Sequence, residues 1–167
     1  MRTRKEIAEL INGLAYDFGH FTVADFIEHL GQAIDRRILS LRCAMPAGVF
    51  GAWLTDSEHP LEYLIVDQTI SGQHAIHIQL HELGHIALNH QTGSITTHLL
   101  ETLISGRDDS PLKQALHRRA SRQDDEQEAE LFAVIVQERL IAAARINYLE
   151  ASSSTDTLQQ YFDDLGV

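Results

Sequence analysis

His81-Glu82-Leu83-Gly84-His85 lies inside residues 73–90, where Ile76, Leu80, Leu83 and Ala87 recur at the spacing of one helix face. Four residues of α-helix turn through about 400° and rise roughly 6 Å, so both imidazoles leave the same side one turn apart. Two ring nitrogens so arranged can each approach one zinc ion at about 2.0–2.1 Å. Glu82 points to the flank of that face, within reach of a water on the ion without being a ligand itself. The chain's histidine and glutamate content produces about 0.04 such patterns by chance, so the motif decides how the rest is read.

A zinc site of this kind needs a third protein ligand and an open position. Position 91, where a third histidine would continue the motif in one zinc-protease pattern, holds Gln91. The remaining source is the acidic stretch Asp125-Glu-Gln-Glu-Ala-Glu130 that opens the helix predicted over 123–147. Glu126 and Glu130 are four apart and share a face, so one can bind the metal while the other hydrogen-bonds a ligand imidazole. Glu128 is the alternative ligand; standing two residues from Glu126, it cannot face the metal together with it. Ala129 and Ala133 leave room for a second helix to approach. Gly84 costs roughly 1 kcal/mol against alanine in a helix and marks a close neighbour, expected to be a sheet strand.

Outward from the motif, residues 4–18 carry Ile7, Leu10, Ile11, Leu14 and Phe18 at helical spacing. Thr22 reads as the N-cap of a helix to about Ile34, with Phe21 and Phe26 as its hydrophobic staple. Three short strands follow at 37–43, 49–55 and 61–67; their short connections predict an antiparallel meander. Residues 96–104 and 111–120 read as two short helices, Ser152-Ser-Ser-Thr155 as a linker, and Leu158, Tyr161, Phe162 and Leu165 as an amphipathic tail helix. The sum is an α+β fold: one domain over 1–150, with a small, about three-stranded antiparallel sheet against helices, then a linker and tail helix over 151–167.

These pieces resemble the ImmA/IrrE-type zinc metallopeptidases. The resemblance rests on Leu80-His-Glu-Leu-Gly-His-Ile-Ala-Leu88 with His90, on Glu126-Gln-Glu-Ala-Glu-Leu-Phe-Ala133, and on Gly51-Ala-Trp-Leu54 with Tyr63-Leu-Ile-Val66. The chain looks most like the short members built from the peptidase domain alone. The resemblance implies a zincin-like fold and one zinc ion held by His81, His85 and Glu126, with Glu82 as general base and Glu130 hydrogen-bonded to a ligand. It also implies a protein substrate, a helix-turn-helix transcriptional repressor of a mobile element or stress circuit. A catalytically silent zincin-fold binding module is the alternative. His98, His117, Tyr63 and Tyr148 are candidates for a second electrophile, and the strand at 49–54 for pairing with substrate backbone.

Composition narrows the partners. A net charge of -11 disfavours direct nucleic-acid binding and an anionic membrane surface. The lone Cys43 excludes an intramolecular disulfide and fits a reducing, cytoplasmic compartment. The opening MRTRKEIAEL lacks the apolar run of a signal peptide. His74 and His77 extend the stripe of His81 and read as a polar face. His20, His29 and His59 read as surface residues, and Lys113, Arg118, Arg119 and Arg122 as a solvated basic cluster.

Overall fold

Thr3 starts the first helix, α1 (Arg4–Gly13), by a capping box: its hydroxyl accepts from the Glu6 N–H, and the Glu6 carboxylate accepts from the Thr3 N–H at 2.7 Å. The computed structural model describes residues 1–105 and 122–164, with side chains as far as residue 150. A 3₁₀ turn (Phe18–His20) leads to α2 (Val23–Ala33), where the Thr22 hydroxyl accepts from the Asp25 N–H and the Phe21 and Phe26 rings lie 5.9 Å apart, as the sequence predicts. His29 is half-buried, not a surface residue: it reaches the Leu14 carbonyl at the end of α1 and packs edge-on to Tyr16.

The strands are β1 (Arg37–Cys43), β2 (Gly51–Asp56), β3 (Leu61–Asp67) and a short β4 (Gly93–Ile95). They form a four-stranded mixed sheet in the order β1-β3-β2-β4. β1 is parallel to β3, β2 antiparallel to β3, and β4 parallel to β2. The expected three-stranded antiparallel meander is therefore corrected. Tyr63-Leu-Ile-Val66 is apolar on both faces and buried throughout, the mark of an interior strand. β1 alternates and takes the edge. The 44–50 loop carries the chain over the end of β3, where the Asp67 carboxylate accepts the Met45 N–H at 2.9 Å and the Asp67 N–H donates to the Phe50 carbonyl at 2.9 Å.

Helix α3 (Gly72–Ala87) carries the histidine motif and lies across one face of the sheet. Its Ile78, Leu80, Leu83 and Ile86 share a core with Trp53, Leu64 and Val66 of the sheet, with α1 and α2, and with Phe132, Ala133 and Val136. Full burial of such side chains contributes roughly 1.5–3 kcal/mol each. Helix α4 (Thr97–Ile104) covers the opposite face, where Leu100 and Leu103 pack with Leu54, Tyr63 and Ile65.

The last element, α5, runs from Gln123 to Asp164. It continues through 152–155, where the sequence predicts a linker before a separate tail helix; no glycine or proline occurs between 123 and 164 to end it. The 111–120 helix, with Lys113, His117, Arg118 and Arg119, lies outside the described residues. Among the described residues no helix is long and apolar enough to cross a membrane.

Candidate metal centre

α3 and α5 pack closely enough to bring their polar faces into register. A Cβ built on Gly84 would stand 3.1 Å from both the Cα and the carbonyl oxygen of Ala129, so the absence of a side chain at 84 sets the helix separation. The neighbour that Gly84 admits is thus α5 and not the expected strand. One turn away, His81 Nε2 lies 3.2 Å from Glu126 Oε2 and 3.1 Å from His85 Nε2, and His85 Nε2 lies 3.6 Å from Glu126 Oε1. One ligand atom from each of the three residues fits within 4.8 Å of the others. Two imidazole nitrogens and a carboxylate are a donor set suited to zinc. The His85 side chain is 1% exposed and that of Glu126 41%, so the cluster is walled on one side and open on the other.

The three candidate glutamates divide their work. Glu130 Oε2 lies 3.5 Å from His81 Nδ1 and 3.2 Å from His77 Nε2, the position expected of a carboxylate that orients a ligand imidazole. His77 also meets Gln137 Oε1 at 3.3 Å, so part of the histidine stripe is tied to α5. Glu128 turns away from the cluster, towards Arg2 and His90. Burial alone would raise the Glu128 carboxyl; hydrogen bonds from the Arg2 backbone and guanidinium and from His90 outweigh it and hold it at about 2. Burial likewise disfavours charge on His81, but its bond to Glu126 and the charges of Glu82, Glu126 and Glu130 more than offset this and raise its pKa. The pocket favours positive charge where a cation would sit.

Glu82 is 4% exposed and lies beneath the start of β2. A Cβ on Gly51 would fall 2.4 Å from Ile78 Cγ2 and 3.4 Å from Glu82 Oε1, so only glycine lets the strand cross here. β4 pairs with Leu54–Asp56 and leaves 51–53 without a ladder partner on that side among the described residues. Ala52 and Trp53 are nevertheless buried, and the Trp53 carbonyl accepts from the Thr92 hydroxyl, so of this stretch Gly51 alone is partly exposed.

The candidates for a second electrophile do not gather here. Tyr63 is 1% exposed, on the sheet face away from α3, and donates to Asp56 Oδ2 at 2.5 Å. His98 belongs to α4 on that far side, and Tyr148 is 73% exposed on α5. His117 lies outside the described residues. A second grouping, Asp56, Glu58 and His59, is a turn: Asp56 accepts from Tyr63, Thr97 and the N–H groups of Glu58 and His59.

Sequence reasoning gave no role to His90 and did not reach Arg2. His90 Nδ1 lies 2.9 Å from His85 Nδ1, and His90 Nε2 lies 3.2 Å from Glu128 Oε2. Its position follows from how α3 ends. The N–H of His90 donates to the His85 carbonyl and that of Asn89 to the Ile86 carbonyl, with Asn89 at φ 55, which together make a Schellman cap. Asparagine tolerates the left-handed conformation, and that residue just past the helix was the available signal. Nothing local announces Arg2. No family model matches this chain, and no curated protein matches it.

Proposed function

We propose that the chain is a zinc-dependent endopeptidase acting on a protein substrate, with a helix-turn-helix transcriptional repressor as the substrate class the ImmA/IrrE resemblance implies. The observation that carries this reading is the convergence of His81, His85 and Glu126 within 4.8 Å beside the buried Glu82. His81 and His85 supply neutral nitrogen donors and Glu126 a charged oxygen. Zinc bound there would supply Lewis-acid polarisation of a scissile carbonyl and lower the pKa of a water towards about 7. The Glu82 carboxylate is the base that accepts the proton and returns it to the leaving amine. Gly51, at the start of β2 beside that carboxylate, has no ladder partner on the β4 side among the described residues, and an extended substrate backbone would pass there. A cytoplasmic location, one zinc per chain and no direct contact with nucleic acid or membrane belong to the same reading.

A catalytically silent zincin-fold binding module is the second reading. It is favoured by the lack of a second electrophile beside the cluster among the described candidates. One variant separates the two. Metal analysis is expected to find about one zinc per chain in wild type and in Glu82→Gln, with peptide cleavage in wild type alone. Zinc without cleavage in wild type supports the binding module, and cleavage retained by Glu82→Gln removes that residue from its role.

A further inference from the structure

We propose that His90, held by Glu128 and Arg2, is a positioning residue that fixes the tautomer and orientation of His85 and so sets the cluster's affinity for a divalent cation. This rests on the metal reading above and adds a part of the molecule that reading does not use.

Proton accounting carries the inference. His85 directs Nε2 at His81 and Glu126, and its other nitrogen, Nδ1, at His90. If Nε2 gives its lone pair to a metal, the His85 proton sits on Nδ1. Donation across 2.9 Å then requires His90 Nδ1 to be bare, which puts the His90 proton on Nε2. That nitrogen faces Glu128 Oε2, an acceptor, at 3.2 Å. Glu128 in turn accepts from the Arg2 backbone N–H and, at 2.6 Å, from its guanidinium. A neutral pair of imidazoles has one arrangement that satisfies both contacts along the His85–His90–Glu128 chain, and it leaves the His85 Nε2 lone pair for a cation between His81 and Glu126.

Burial makes the arrangement exclusive. The side chains of His90 and Glu128 are 4% and 5% exposed, so water has little access to replace either. The backbone adds rigidity, because the same two residues are joined by the His90 N–H to His85 carbonyl bond of the Schellman cap. The other ligand imidazole differs: its outer partner Glu130 is 51% exposed and stands 3.5 Å away. The two imidazoles are therefore unequally held, His85 by the buried His90 and Glu128 and His81 by a solvated carboxylate. Loss of an outer partner typically lowers metal affinity by about 10–100-fold.

The test compares Zn2+ and Co2+ affinity, by competition with a chelator, in wild type, His90→Leu and His90→Asn. Leucine fills space but accepts no hydrogen bond; asparagine places an oxygen near the position of Nδ1. His90→Leu is expected to lose about 10–100-fold and His90→Asn less than about fivefold. In the Zn2+-loaded wild type, long-range 1H–15N correlation is expected to find His85 protonated on Nδ1 and His90 on Nε2. Wild-type affinity in His90→Leu, equal losses in both variants, or a His90 proton on Nδ1 overturns the relay while the metal reading stands. A wild-type chain that binds neither ion, or binds as tightly after His81→Ala, overturns the metal reading and the relay with it.

Discussion

Asp56 illustrates how one side chain can organise a turn. It accepts hydrogen bonds from Tyr63, Thr97 and the backbone N–H groups of Glu58 and His59, the His59 ring nitrogen lies 3.2 Å from Oδ1, and its carboxylate is fully buried. Burial would raise its pKa, but those donors hold it well below the usual aspartate value of 3.8. A carboxyl depressed in the folded state stabilises fully above its unfolded pKa, and the contribution is lost as pH falls below that value. Asp56→Ala leaves a buried tyrosine hydroxyl without its acceptor and is expected to cost about 3 kcal/mol at pH 7. Urea unfolding at pH 7 and again near pH 3 checks this, with the gap from wild type narrowing at the lower pH. Because this turn lies on β2 and β3 away from the histidine cluster, Zn2+ affinity of the folded variant should be unchanged.

At the level of elements, the packing of α3 on α5 governs the site. Gly84→Ala gains roughly 1 kcal/mol of helix propensity. It also drives a methyl to 3.1 Å from backbone atoms of Ala129, which cannot swing aside as a side chain would. Overpacking of this kind costs about 1–3 kcal/mol, so a net loss of about 1 kcal/mol is expected. Calorimetry of the metal-free protein measures it. The same methyl wedges Glu126 away from His81 and His85, so Zn2+ affinity should fall in parallel, whereas a stability loss with unchanged affinity would mean that the shift is absorbed elsewhere.

These elements also mark what the sequence could reveal. The α2 cap at Thr22, its aromatic staple and the helix bearing His81 and His85 were legible because each is specified within a few residues. The grouping of Glu126 with that pair was read from helical spacing together with the family resemblance. Strand order was less legible: alternation in β1 and continuous burial in β3 distinguish an edge from an interior strand, but short connections pointed to a meander. The three-residue β4 carries too little pattern to be read. The helix through 152–155 shows that serines alone do not end a helix when neither glycine nor proline follows. Arg2 was beyond reach because its partner, Glu128, lies 126 residues away.

Across the whole molecule, one core joins α1, α2, α3, α5 and one face of the sheet, while α4 closes a smaller core on the other. Past Leu140 the apolar side of α5 leaves that core: Ile141, Ile146, Tyr148 and Leu149 are all more than half exposed.

The Arg2–Glu128 pair has a consequence for the order in which the protein matures. α3 contains both imidazoles within five residues and can form early, since local contacts carry little loop-closure cost. The hydrogen-bonded chain behind His85 exists only after segments 126 residues apart have met, a late event on a loop-entropy argument. During refolding, recovery of helical circular dichroism should therefore precede capture of Co2+, with the lag abolished when the ion binds an incomplete pocket equally well. Ion uptake would then act as a proofreading step, reporting that two segments 126 residues apart have been joined correctly.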